Sequence, residues 1–182
     1  MVERFEVRLA GSGSHGMIQA GLILQEAAAI YDDKNAHHVQ SYGPEARGNA
    51  ARSEVLISDG DIDYPKATRV DVLLATTDEA VEKYTHDLKP GALVIVDESV
   101  RAKVPEGSKT YVLPLLKTAE KDLGRPTLLH VVALGVVVGL SKIVTNGAIE
   151  AAVKDHAARG SEPVHLGALE AGYTLAANAK KS

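Results

Sequence analysis

Residues 4–31 read RFEVRLAGSGSHGMIQAGLILQEAAAIY, and this opening decides the fold class. Arg4 to Ala10 alternates around Phe5, Val7 and Leu9, the period of two that belongs to a strand. The run then meets Gly11-Ser12-Gly13-Ser14-His15-Gly16, literally G-x-G-x-x-G, which predicts a tight turn. Met17 to Tyr31 follows with helix-forming residues at 3.6-residue spacing. A strand, a glycine turn and a helix in succession open a βα unit.

Outward from there the alternation of types continues. His38 to Tyr42 and Arg52 to Ser58 are short β-branched or alternating segments, separated by the loop Gly43 to Ala51. Asp71 to Ala75 (DVLLA) and Ala92 to Asp97 (ALVIVD) are continuous apolar runs, the pattern of strands covered on both faces. Between them Thr77 to Leu88 reads as a helix ended by Lys89-Pro90-Gly91. Thr110 to Leu113 predicts a further strand, and Thr118 to Leu123 a short helix stopped by Gly124 and Pro126. Thr127–Ile143, Asn146–Arg159 and Val164–Ala179 predict three helices, with Asn146 as N-cap of the second. The expected fold is α/β: a three-layer, Rossmann-like domain with a mostly parallel sheet and a helical C-terminal part, in one domain spanning 1–182.

Composition narrows the function. Twenty Lys plus Arg stand against 24 Asp plus Glu, a net charge of −4, so no basic stripe recommends a nucleic acid or an anionic membrane. The absence of cysteine removes disulfides, thiolate nucleophiles, Cys-zinc sites and any iron–sulfur cluster ligated by this chain. Met1 to Leu9 has no apolar run of the signal-peptide kind, which makes the cytoplasm the default location. Leu128 to Val144 is the most apolar stretch, at the short limit for a membrane span; without an aromatic belt or basic flank it reads as a buried or partner-facing helix.

Several motifs fail on inspection. Asp59, Asp61 and Asp63 imitate a calcium loop, but Tyr64 stands where glycine is required and Val70 where the closing acid belongs. His37 and His38 are strand neighbours and point to opposite faces, poor geometry for one metal. No metal-binding spacing, nucleophile elbow or Walker lysine is present. The glycine turn has three readings: helix-on-sheet packing or a partner contact, an anion such as the phosphates of a cofactor shared with a partner, or a dinucleotide. The last lacks its ribose-binding acid, because the second strand ends at Ser41-Tyr42. The loop Ser41-Tyr42-Gly43-Pro44-Glu45-Ala46-Arg47-Gly48-Asn49 is dense in residues with specific uses: Gly and Pro set backbone, Glu and Arg can pair, and Tyr offers a ring and a hydroxyl.

Taken together these residues resemble the gamma subunit, or gamma domain, of 2-oxoacid:acceptor oxidoreductases. The resemblance spans nearly the whole chain. It rests on Gly11 to Gly16 with the helix after it, on Ser41-Tyr42-Gly43-Pro44-Glu45 with Arg47-Gly48, and on Arg52 to Asp59 running into Ile62 and Pro65. It continues through Val70 to Leu73, Leu88 to Gly91, Val132-Ala133-Leu134-Gly135 and Leu169-Glu170-Ala171-Gly172-Tyr173. Ser-Tyr-Gly-Pro-Glu-x-Arg-Gly is its most specific part. The chain departs from the family's pattern at Ser14-His15, where Gly-Gln is usual, at Asn49, where a second glycine is usual, and at His130, where asparagine is common.

The resemblance implies an enzyme that oxidatively decarboxylates a 2-oxoacid to an acyl-CoA. Thiamine diphosphate with Mg and iron–sulfur clusters would sit in partner subunits, coenzyme A would be co-substrate, and ferredoxin or NAD would take the electrons through a partner. The implied partners are alpha, beta and ferredoxin-like delta subunits, with this chain in a structural, site-supporting and non-catalytic role. The departures point to a specialised branch, such as one acting on the aromatic 2-oxoacid phenylglyoxylate. Gly11, Gly13, Ser14, His15, Gly16, Tyr42, Gly43, Pro44, Glu45, Arg47, Gly48 and Asn49 are the expected interface or site-supporting residues. Two other readings stay open: a stand-alone Rossmann-like module for a dinucleotide or phosphate ligand, and a scaffold whose apolar helix Leu128–Leu140 buries against another chain.

Overall fold

A computed structural model of the chain describes residues 4–42 and 50–181. Its sheet has six strands among the described residues: β1 (Arg4–Ser12), β2 (Asn35–Tyr42), β3 (Ala50–Ser58), β4 (Val70–Ala75), β5 (Leu88–Asp97) and β6 (Lys109–Leu113), in the spatial order β2-β3-β1-β4-β5-β6. Pairing is parallel for β1–β4, β4–β5 and β5–β6, and antiparallel for β1–β3 and β2–β3, so β3 alone runs against the rest.

The helices are α1 (Met17–Glu26), extended by a π-helical segment Ala27–Tyr31, α2 (Asp78–Tyr84), α3 (Leu115–Lys117), extended likewise over Thr118–Asp122, α4 (Leu129–Ser141), α5 (Asn146–His156) and α6 (Glu162–Lys181). One face of the sheet presents Val7, Leu9, Val55, Ile57, Val72, Leu74 and Ile95 to α1, α4 and α5, which form the main core. On the other face, Ala10, Leu73, Ala75, Val94 and Val96 meet α2 through Ala80, Val81 and Tyr84. The expected α/β class with a mostly parallel sheet holds.

Strand β1 departs from what its alternation suggests. A strand of this pattern ordinarily keeps its charged face wet, yet Glu6 and Arg8 are 3% and 2% exposed. Arg8 is held bidentately: Nε and Nη2 donate to Glu54 Oε2 at 2.8 and 2.7 Å, Nη1 and Nη2 to Asp87 at 2.5 and 2.8 Å, and Nη1 also to the Tyr84 carbonyl at 3.1 Å. Its guanidinium lies 5.9 Å from the centre of the Tyr84 ring, which Arg52 approaches to 5.2 Å. Burial by itself would lower the pKa of Arg8, but the two carboxylates outweigh it and raise the value.

Several boundaries differ from the sequence expectation. Lys89-Pro90-Gly91 does not end a helix; it lies inside β5, at the register shift between the pairs Val70–Leu88 and Val72–Leu93, and α2 stops at Tyr84. Proline is tolerated there because the register shift interrupts the ladder at that position. Asn146 is the first residue of α5 and not its cap, because the hydroxyl of Thr145 accepts from Ala148 N at 3.2 Å. The apolar helix faces this chain and not another: Leu129, Val131–Gly139 of α4 are all buried, between the sheet and α6. No helix among the described residues is long and apolar enough to cross a membrane.

The α4–α6 contact rests on two glycines. A Cβ on Gly135 would stand 2.3 Å from the Leu169 carbonyl oxygen, and one on Gly172 would stand 2.2 Å from that of Val132. The helices therefore touch backbone to backbone, and the Val132–Gly135 and Leu169–Tyr173 motifs form the two sides of one contact.

Candidate functional site

The topology fixes where a site belongs. After β1 the chain turns to α1 on one face of the sheet; after its neighbour β4 it turns to α2 on the other. Chain paths that leave adjacent parallel strands in opposite directions open a crevice at their carboxyl ends, the place where α/β sheets bind ligands. Gly11 to Gly16 follows β1 there, and Thr76-Thr77 follows β4.

Gly11 and Ser12 complete β1 and do not belong to the turn, which is a 3-10 turn over Gly13–His15. Ser12 caps that turn, accepting from Ser14 N at 3.4 Å, and the two serine hydroxyls lie 3.1 Å apart on the surface. Gly16 closes it with φ +75°, a left-handed geometry that favours glycine, and its Cα faces His130, whose Cβ would lie 3.0 Å from an added Cβ. Gly13 has open space where a side chain would be.

His15 is tied across the crevice. Its Nδ1 lies 2.7 Å from Thr76 Oγ1, and Thr76 N donates to the Ala10 carbonyl at 3.1 Å. A Cβ on Gly11 would stand 2.0 Å from that hydroxyl, so the bridge crosses directly over the backbone of residue 11. Burial holds His15 below the usual imidazole value against Asp97 and Glu120, which pull it up. Asp97 is 1% exposed at the end of β5: Oδ1 accepts from Leu116 N at 2.9 Å, and Oδ2 from Ser99 N and Oγ at 2.9 and 2.5 Å. The sequence expectation does not include Thr76 or Asp97; Thr76 directly follows apolar β4 and Asp97 is the last residue of β5, and a polar residue closing an apolar strand is the signal both carry.

His130 stands on the far side of Gly16. Its Nδ1 donates to the Thr127 carbonyl at 3.0 Å. Burial, with His165 and His156 adding to it, lowers its pKa to about 4, although the bond to Thr127 works the other way.

The second predicted loop leaves from the same edge. Ser12 pairs with Ala50 and Tyr42 with Ala51, so β2 ends and β3 begins beside the glycine turn. Tyr42 is placed by its backbone as the last residue of β2. Gly43, Pro44, Glu45, Arg47, Gly48 and Asn49 lie outside the described residues. The histidine pair behaves as strand geometry requires: His38 Nε2 contacts Ser53 Oγ at 2.6 Å, while His37 is exposed.

The same topology argues against a dinucleotide. In that fold the strand next to β1 that carries the ribose-binding acid is parallel to it. Here the neighbour on that side is antiparallel β3, and β2 lies one strand further out. The acid after β4, Asp78, is spent on the backbone N–H groups of Arg101 and Ala102 at 2.5 and 2.7 Å. Among the described residues no group of three His, Asp or Glu side chains is placed to hold a metal ion. Two cavities of about 470 and 340 Å³ lie at the opposite, amino edge, around Phe5, Asp71 and Lys89.

Residues 6–175 match the family described as pyruvate ferredoxin/flavodoxin oxidoreductase, and the chain belongs to that family, in its gamma-subunit form. It is 43% identical over 176 residues to 2-oxoglutarate synthase subunit KorC of Methanocaldococcus jannaschii, covering 95% of this chain and 94% of that one. The corresponding protein of Methanothermobacter thermautotrophicus is 41% identical over 96% and 97% of the two chains. Among solved structures, the gamma subunit of a keto/oxoacid ferredoxin oxidoreductase from Geobacter sulfurreducens superposes with a TM-score of 0.89 at 42% identity, over 97% of this chain and 98% of that one. The 2-oxoglutarate:ferredoxin oxidoreductase of Magnetococcus marinus shares the fold, with a TM-score of 0.85 at 23% identity; this chain covers 32% of that longer one.

Proposed function

We propose that this chain is the gamma subunit of a 2-oxoglutarate:ferredoxin oxidoreductase that forms an acyl-CoA, and that residues 1–182 act in it as one domain. The observation that carries the substrate is the 43% identity, over nearly the full length of both chains, to a 2-oxoglutarate synthase subunit. A 2-oxoacid oxidoreductase of this type needs thiamine diphosphate with Mg and iron–sulfur clusters, which supply the decarboxylation and the electron path. The donor set here does not suit a cluster, because the sequence holds no cysteine. Alpha, beta and ferredoxin-like delta subunits would therefore hold both, in the cytoplasm, with ferredoxin as acceptor.

This chain supplies walls and contacts. The glycine turn, with Gly11, Gly13, Ser14, His15 and Gly16, and the loop from Tyr42 to Asn49 leave from one edge of the sheet, and that shared edge supports their meeting the partner subunits together. Tyr42, Glu45 and Arg47 are proposed as interface or site-supporting side chains, not proton-transfer catalysts. The loop departures at Ser14-His15 and Asn49 make phenylglyoxylate the second acid to assay.

The test is anaerobic purification of the chain from its own source, native mass spectrometry of what accompanies it, and 2-oxoacid-dependent dye reduction in the presence of coenzyme A. Larger subunits with thiamine diphosphate and clusters, and turnover of 2-oxoglutarate, are the expected result. Preference for phenylglyoxylate would move the substrate; a lone 19.2 kDa species would overturn the subunit reading. In the assembled enzyme, Arg47→Ala lowers assembly or turnover.

A further inference from the structure

The bridge between His15 and Thr76 determines which nitrogen of the imidazole carries the proton. Thr76 is 1% exposed, and among the described residues its hydroxyl has two neighbours: His15 Nδ1 at 2.7 Å and the Ala10 carbonyl at 3.5 Å. A hydroxyl has one hydrogen to give. The carbonyl stands at the outer limit of a hydrogen bond and already accepts from Thr76 N at 3.1 Å. The ring nitrogen is the nearer acceptor, at 2.7 Å, and nothing else among the described residues competes for the hydroxyl hydrogen at comparable range. The hydroxyl therefore donates to Nδ1, which leaves the proton on Nε2. No partner for Nε2 occurs among the described residues.

We propose that Thr76 is a positioning residue: it holds His15 over Gly11 in the Nε2–H tautomer, so that the carboxyl edge offers one fixed N–H donor to an oxygen acceptor docking there. The acceptor belongs either to a neighbouring subunit or to the co-substrate, and this part of the inference rests on the gamma-subunit reading. The missing Cβ of Gly11 is what lets the bridge form, since any side chain there would collide with the hydroxyl. The charged and titratable groups around the ring are Asp97 at the end of β5, Glu120 after α3, and His130 on α4 across Gly16. Asp97 is committed to Leu116 and Ser99, so it does not compete for Nε2–H. Protonating Nδ1 would turn the hydroxyl hydrogen toward the distant Ala10 carbonyl, and burial already disfavours that charge.

The tautomer is read by long-range proton–nitrogen NMR on the full chain labelled with 15N-histidine at pH 7.5. Wild type should show His15 as Nε2–H; Thr76→Val should give mixed tautomers, and Thr76→Ser should restore one. A wild-type Nδ1–H ring, or a Thr76→Val spectrum equal to wild type, would overturn the proposal whether or not the subunit reading stands. In the assembled enzyme, Thr76→Val and His15→Phe should each raise the KM for coenzyme A by about two- to tenfold if the acceptor is on the co-substrate, or weaken subunit association by the same factor if it is on a partner, the range one neutral hydrogen bond gives. Thr76→Ser should recover either loss. Unchanged KM and unchanged association in an active wild-type-like complex would sink the docking role, whereas failure of wild type itself to assemble would fall on the subunit reading alone.

Discussion

Arg8 sits where a solvent-facing residue of an alternating strand would stand, and its neutralisation by Glu54 and Asp87 is what permits its burial. A buried ion pair is costly to break by removing one partner, because the other charge is left uncompensated. Arg8→Met is expected to lower stability by about 3–5 kcal/mol in urea denaturation; a loss within about 0.5 kcal/mol would show that water reaches Glu54 freely. His130 supplies a pH dependence. In the unfolded chain it protonates near 6.5, in the fold near 4, so the stability that its neutral ring contributes is full above about pH 6.5 and is lost as the pH falls toward about 4. His15 and His38 are shifted in the same direction by burial. Urea midpoints should thus fall between pH 7.5 and 5, and His130→Asn should flatten the fall without abolishing it. An equally steep profile in the variant would assign the effect to the other histidines.

Among elements, the α4–α6 pair is the one whose geometry leaves least room. Gly135→Ala places a methyl 2.3 Å from the Leu169 carbonyl oxygen, and backbone cannot swing aside as a side chain can. Overpacking of this kind costs about 1–3 kcal/mol or more. Gly147→Ala, at a position with nothing within 4 Å, is the control, and it should leave the thermal midpoint close to wild type. Equal midpoints for both variants would mean that α6 shifts outward without penalty. Strand β1 and α4 were readable in kind from hydrophobic pattern, but neither pattern says what covers the polar face of the strand or the outer face of the helix.

At the level of the molecule, α6 is the outer cover of α4. Removing residues 162–181 would uncover the face of α4 that meets α6 at Val132, Gly135 and Gly139, a contiguous apolar surface that soluble monomers rarely expose. The truncated chain is expected to bind a hydrophobic dye and sediment as aggregates, while the full chain does neither; a monomeric, dye-silent truncation would show that α6 is not what keeps α4 from water. The sequence left this helix as buried or partner-facing, and the structure takes the first alternative, since an apolar run signals burial and is blind to what provides it.

Local pattern was enough for the strand–turn–helix opening, the apolar central strands, the glycine turn as a point of interest and the family motifs, because period, turn chemistry and apolar runs are written in neighbouring residues. Tertiary structure alone decided that antiparallel β3 lies between β1 and β2, that Thr76 comes to His15 across 61 positions of sequence, and that Arg8 finds Glu54 and Asp87 in the interior. Such pairings depend on which distant segments the sheet order brings side by side, and no local propensity encodes that order; the crevice at the carboxyl edge exists only once β1 and β4 have become neighbours.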